Sequence, residues 1–152
     1  MQKPEITLIP LSDALEPEFL ALEVREDQRS FIETPAEALA DRNSRGWDVD
    51  WTIHCLYWEN HMVGYTMHGM NRWADAWMDR FMIDRRFQGR GFASAALPKI
   101  LAEIRARYPG RRRILLSVEP ENAPAIRLYQ RFGFRMTDEW DCAEQVMELR
   151  EG

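Results

Sequence analysis

The 152-residue sequence predicts a single α+β domain, on three observations. From Trp51 to Asp84, aromatic and β-branched residues fall into strand-like runs separated by short turns. From Gly91 to Arg107 the apolar period turns helical, with Leu97, Ile100, Leu101 and Ile104 on one face. No linker, repeat or low-complexity segment divides residues 1–152, and a 45% hydrophobic content suffices for one core.

The elements follow in order. Glu5 to Ile9 alternates polar and apolar residues, as a short strand does. Ser12 stands where a helix cap belongs, ahead of an amphipathic stretch with Leu15, Phe19, Leu20 and Leu22. Thr34-Pro35-Ala36-Glu37 is a second helix start, with Thr at the cap, Pro at the first position and Glu three residues after the cap; Gly46 ends that helix. Trp51–Trp58 and Met62–Met70 form a hairpin around Glu59-Asn60-His61, with Gly64 marking a bulge, and Ala76–Asp84 is the third strand of the meander. In the helix from Gly91, Pro98 removes a backbone donor and predicts a kink or local distortion. Ile114–Val118 suits a buried strand, Asn122–Arg131 a short helix stopped by Gly133, and Arg135–Trp140 with Gln145–Leu149 a closing hairpin.

Composition narrows the function classes. No apolar run approaches the roughly 18 residues of a membrane span, and the first residues lack a basic-then-apolar leader. A soluble, cytoplasmic protein is therefore expected, with no membrane partner. Cys55 and Cys142 are distant and read as packed thiols rather than a disulfide. His54, His61 and His68 recur every seven residues, and an odd offset along strands places neighbours on opposite faces, so no metal site is expected. The net charge of −5 is unevenly spread: residues 1–50 carry 12 acidic and 5 basic side chains, a balance of −7, and residues 51–152 a balance of +2. An acidic front and a basic back suit a protein that holds a cationic molecule with one part and an anionic one with the other. The acidic balance argues against a nucleic-acid partner.

The most informative stretch is the strand Asp79–Ile83, the loop Asp84–Arg90 and the helix from Gly91. A strand entering a glycine-containing loop that opens a helix aims free N–H groups at one point, at the positive end of the helix dipole. Gly89 and Gly91 leave room for a phosphate, and Arg85, Arg86 and Arg90 add positive charge. The loop is neither G-x-x-x-x-G-K-[ST] nor G-x-G-x-x-G, so by itself it predicts only a pyrophosphate-binding turn. A second cluster, Ser117 to Phe134, follows after one helix and one strand.

Together the two clusters resemble the GNAT N-acetyltransferase superfamily. Its pyrophosphate loop [Q/R]-x-x-G-x-[G/A] is matched by Gln88, Gly91 and Ala93. Its element N-x-x-[AS]-x-x-x-Y-x-x-x-G-F is matched by Asn122, Ala125, Tyr129, Gly133 and Phe134. The resemblance covers essentially the whole chain. It implies a mixed, mostly antiparallel sheet flanked by about four helices, splayed between the strands around Phe81–Ile83 and Ile114–Val118. Acetyl-CoA would enter as co-substrate where those strands part, its amide-rich arm satisfying backbone groups that would otherwise stay unpaired. By this resemblance Phe81, Met82 and Ile83 contact pantetheine, and Gln88, Gly89, Arg90, Gly91, Phe92, Ala93 and Ser94 form the pyrophosphate loop. Asn122, Ala125 and Tyr129 complete the cofactor side.

The resemblance also implies that Tyr129 is the general acid for the departing thiolate, because a tyrosine at this motif position has that role in the family. An alkylamine is protonated at neutral pH and needs a base. Asp79, two residues before Phe81 and so on its face of a regular strand, is the first candidate; Asp75 and Glu119 are further ones. Within the superfamily, Asp79–Asp84, the Pro-Glu-Asn cluster and Gln28–Phe31 resemble the bacterial spermidine/spermine branch. A polyamine would then be held by Glu23, Glu26, Asp27, Glu33 and Asp79, with Trp51 and Trp77 packing its methylenes or a cationic end. Another amine (an amino acid, an aminoglycoside or a protein N-terminus) and a non-catalytic acyl-CoA sensor are the alternative functions. A homodimer is the family expectation.

Overall fold

The computed structural model describes residues 3–44 and 49–151. Its strands are β1 (Thr7–Pro10), β2 (Thr52–Trp58), β3 (His61–Met70), β4 (Asp75–Ile83), β5 (Arg113–Val118), β6 (Arg135–Asp141) and β7 (Glu144–Leu149). Its α-helices are α1 (Glu16–Leu20), α2 (Pro35–Asn43), α3 (Phe92–Arg107) and α4 (Ala123–Arg131). All seven strands join one sheet in the order β1-β2-β3-β4-β5-β7-β6, and only β4 and β5 pair in parallel. The element order agrees with the sequence reading.

The differences have local causes. The first helix divides into a 3-10 turn at Asp13–Leu15 and the short α1, because Pro17 in the first turn of α1 has no N–H to continue the preceding turn. Ser12 is extended there, but its side chain makes no capping bond. The Thr34 and Glu37 side chains form the reciprocal capping box of α2. That helix ends at Asn43, and Gly46, its expected stop, lies outside the described residues. α3 runs through Pro98 to Arg107 as one helix, so the helix is not interrupted there.

The sheet separates two apolar layers. On one side Leu97, Ile100, Leu101 and Ile104 of α3 pack with Met78, Ile83, Ile114 and Met147, and α4 adds Ile126, Leu128 and Tyr129. On the other, Phe19 of α1 and Ala38 of α2 cover Tyr65, Met67 and Met82. At the sheet centre β3 comes very close to β4: a Cβ on Gly64 would stand 2.1 Å from the Met82 carbonyl oxygen. The expected bulge lies beside Gly64, where Leu56 pairs with Gly64 but Tyr57 with Met62, leaving Val63 extra.

Two features of the sheet go beyond what alternation along one strand can give. The first concerns the histidines. His54 and His68 lie on neighbouring strands, so the register places them together: the rings stack, with His54 Nδ1 2.9 Å from His68 Nε2. His68 Nδ1 is 2.8 Å from the Tyr108 hydroxyl, and His54 Nε2 is 3.5 Å from Glu103 Oε1. Each ring is satisfied when Tyr108 donates to His68, His68 to His54 and His54 toward Glu103. Among the described residues no group of three or more metal-ligating side chains forms.

Burial, with the neighbouring His54 and Arg107 adding to it, pushes His68 down to about 4. Between that value and the ordinary histidine value near 6.5, the unfolded chain binds a proton that the folded chain refuses. Stability is therefore present above about pH 6.5 and lost as the pH falls toward 4. Denaturant midpoints should fall from pH 7 to pH 5, and His68→Gln should flatten that dependence. An equally steep dependence in the variant would exclude His68 as its source.

Candidate active site

The second feature, a bulge in β4, shapes the floor of the site. Met67 pairs with Arg80 but His68 with Met78, so Asp79 is the extra residue of a bulge in β4. Before it, Ala76 and Met78 face the α3 layer; after it, Phe81 and Ile83 do, with the opposite parity. The expectation that Asp79 shares a face with Phe81 is therefore corrected. The bulge turns Asp79 to the side of Arg80, whose Nη1 lies 3.1 Å from its Oδ2.

β4 and β5 pair only through Asp75–Arg113, Ala76–Ile114 and Trp77–Leu115. Beyond Trp77 the two strands part, and the edge of Met78–Ile83 that faces β5 has no strand partner among the described residues. Asp75 anchors the closed end: it accepts from Arg112 at 2.9 and 3.1 Å and from Arg113 at 3.1 Å. Arg113 also binds Glu139 and Glu148, which ties β6 and β7 to the same point. Asp75 is thus occupied at the ladder, outside the cleft lining, as is Glu119.

The parting strands open a cleft of about 1130 Å³. At one end is the loop before α3. Asp84 is buried and caps the turn Arg85–Phe87, accepting from the Arg86 and Glu23 backbone N–H groups and from the Arg86 guanidinium. Burial alone would raise its pKa, but those bonds outweigh burial and hold it low. The Gln88 amide donates to the Ile83 carbonyl at 2.8 Å, pinning the loop to the end of β4. Gly89 and Gly91 have φ of +76° and +82°, the left-handed region that glycine enters without strain. Gly91 is the N-cap of α3 and makes no side-chain cap. The Phe92, Ala93 and Ser94 N–H groups thus stand at the helix start with no backbone acceptor among the described residues.

The arginines of the loop are engaged with protein groups. Arg85 is drawn to Glu23 and Arg86 to Asp84. Arg90 lies over the Trp58, Phe87 and Phe92 rings, outside the cleft lining. Arg25 and Arg131 line the cleft instead, Arg131 donating to Ser94 Oγ at 3.4 Å. Both are remote from the loop in sequence, and no motif signals them.

Phe81, Met82, Ile83, Gln88, Gly89, Gly91, Phe92, Ala93, Ser94, Asn122, Ala125 and Tyr129 all line the cleft. The Asn122 side chain accepts from the Ala125 N–H at 3.4 Å and so caps α4. Tyr129 projects from α4 edge-on to Phe134, with ring centroids 5.9 Å apart. Burial, aided by the charge of Glu144, raises its pKa and keeps the hydroxyl protonated. No side chain or backbone group among the described residues hydrogen-bonds to that hydroxyl.

The opposite end is acidic and aromatic. Glu33, Trp51, Trp77 and Asp79 line it, whereas Glu23, Glu26 and Asp27 stand outside the lining. Asp41 of α2 and Glu139, Asp141 and Glu144 of the β6–β7 hairpin join them, with the exposed Trp73 and Trp140 at the rim. Burial pushes Asp79 up to about 6; Arg80 opposes this, while Glu33, Asp141 and Asp41 add to it. Burial likewise raises Glu144, which accepts from Ser117 Oγ at 2.8 Å. The cleft therefore runs from free backbone amides to a cluster of carboxylates, with Tyr129 and Asp79 on its walls.

A family model described as the acetyltransferase (GNAT) family matches residues 11–134. The spermine/spermidine N(1)-acetyltransferase of Bacillus subtilis strain 168 is 36% identical over 136 residues, covering 84% of this chain and 87% of the relative. Among solved structures, the spermidine N-acetyltransferase of Vibrio cholerae in complex with CoA and spermine has a TM-score of 0.72 at 19% identity, covering 95% of this chain and 93% of that one. A GNAT family acetyltransferase of Elizabethkingia anophelis with acetyl-CoA bound has a TM-score of 0.69 at 14% identity, covering 98% and 100%. The chain belongs to the GNAT family, and it is an acetyltransferase.

Proposed function

We propose that the chain transfers an acetyl group from acetyl-CoA to a primary amine of a polyamine such as spermidine or spermine. The polarity of the cleft is the observation that carries this reading. Its amide-rich end suits a pyrophosphate, its middle is an unpaired strand edge, and its far end gathers carboxylates from β4, α2 and the β6–β7 hairpin. The name of the Bacillus subtilis relative agrees with the acceptor class.

The fit to acetyl-CoA rests on the chain itself. Met78–Ile83 offer backbone groups on the β5 side that an amide-bearing pantetheine arm can pair with, as an added strand would. The Phe92–Ser94 N–H groups, Arg25 and Arg131 hold the pyrophosphate. When bound, acetyl-CoA supplies the activated thioester carbonyl. Asp79, anionic above about pH 6, takes a proton from the incoming ammonium and leaves a nucleophilic amine. As the freed amine bonds to the thioester carbonyl carbon and the carbon–sulfur bond breaks, Tyr129, kept protonated by burial, would give its hydroxyl proton to the leaving sulfur. Glu33, Asp141 and Glu144 hold the remaining ammonium groups, and Trp51, Trp77 and Trp140 cover the methylenes.

Thiol release from acetyl-CoA in the presence of a panel of amines tests this reading. Spermidine and spermine should be turned over far faster than a monoamine, an amino acid, an aminoglycoside or a peptide N-terminus. Turnover restricted to the other amines would reject the polyamine assignment. Cofactor binding without turnover of any amine would make the chain a sensor.

A further inference from the structure

In a regular strand, Asp79 and Arg80 would point to opposite faces of the sheet. The bulge places them side by side, and one guanidinium then serves three carboxylates. Arg80 is 7% exposed; its Nη1 lies 3.1 Å from Asp79 Oδ2, and its Nη2 donates to Glu33 and, at 2.6 Å, to Asp41 Oδ2. These acids come from three separate segments: β4, the approach to α2, and α2 itself.

We propose that Arg80 is a positioning residue for acceptor deprotonation, holding the Asp79 carboxylate at the bulge and setting the pH range in which it accepts a proton. The proposal rests on Asp79 being the base. The charged groups facing Asp79 are Arg80 on its own strand, Glu33 before α2, Asp41 on α2 and Asp141 on β6. Arg80 favours the Asp79 anion and the three carboxylates oppose it. Burial also opposes it, and the carboxyl already titrates near neutrality, at about 6. Without the guanidinium the acid limb of activity would therefore enter the neutral range. Arg80 also ties α2 to β4, so that one cation couples the acceptor wall to the base.

The pH dependence of kcat/KM with spermidine, from pH 5 to 9, tests this, because its acid limb reports groups of the free enzyme. Arg80→Gln should move that limb upward by about one pH unit, a roughly tenfold loss of kcat/KM at pH values below it. Arg80→Lys, which keeps the charge but not the fork, should return the limb part of the way. Asp41→Asn should move it downward, since one opposing charge is gone and Arg80 is freed toward Asp79. Asp79→Asn should remove the limb.

If the limb stays in place in Arg80→Gln and Asp41→Asn while Asp79→Asn abolishes it, the inference about Arg80 is wrong and the base assignment stands. If Asp79→Asn keeps the wild-type limb, the base assignment fails and the inference with it. Should Arg80→Gln not fold, Arg80→Lys and Asp41→Asn decide the matter, because their predicted shifts are opposite in sign.

Discussion

Tyr129→Phe should lower kcat by about 100-fold to 10,000-fold, the span a positioned proton donor contributes, while leaving acetyl-CoA affinity unchanged. The substitution is conservative in every respect but one. The ring stays packed on Phe134, and no described protein group loses a hydrogen bond when the hydroxyl is removed. What disappears is a protonated hydroxyl on the cleft wall, held protonated by burial. A loss confined to turnover would identify that proton as the one given to sulfur. Unchanged turnover would leave Tyr129 as a packing residue.

Gly64→Ala should destabilise the fold by about 3 kcal/mol, at the upper end of overpacking costs. The added Cβ would meet the Met82 carbonyl oxygen at 2.1 Å, with Met82 C and Ile83 Cα both at 3.1 Å. All three are backbone atoms of a central strand, so no side-chain rotation relieves the clash. β3 and β4 would have to separate, and β4 is also the floor of the cleft. Chemical denaturation measures the effect, with Gly110→Ala as control, since a Cβ there meets nothing within 4 Å. A Gly64→Ala midpoint as close to wild type as the control would mean that the sheet yields more readily than its pairing indicates.

Much of this was legible in the sequence, because it is encoded locally. Gln88, Gly91 and Ala93 belong to one loop-to-helix junction, and Asn122, Ala125 and Tyr129 to one short helix and its cap, so fixed spacing places them without knowledge of distant contacts. The capping box at Thr34 and Glu37 is local in the same way. What stayed hidden depends on register or on the meeting of remote segments. A one-residue bulge at Asp79 reverses the facing of every later residue in β4, and nothing in Asp79–Ile83 announces it. That His54 meets His68, its diagonal neighbour, follows from the β2–β3 register, in which His54 lies opposite Thr66 and His68 opposite Thr52. Charge counting located an acidic front, but Glu23, Glu26 and Asp27 are not at the cleft, while Glu139, Asp141 and Glu144 reach it from the other end of the chain. Arg25 and Arg131 were invisible for the same reason.

Amide hydrogen exchange with and without acetyl-CoA tests most directly the claim that cofactor binds where β4 and β5 part. The unpaired N–H groups of Met78–Ile83 on the β5 side, and those of Phe92, Ala93 and Ser94, should gain protection on binding. The β1–β2 ladder at the far edge of the sheet should be unaffected. Protection appearing elsewhere, with those amides exchanging as fast as in the free protein, would contradict the account.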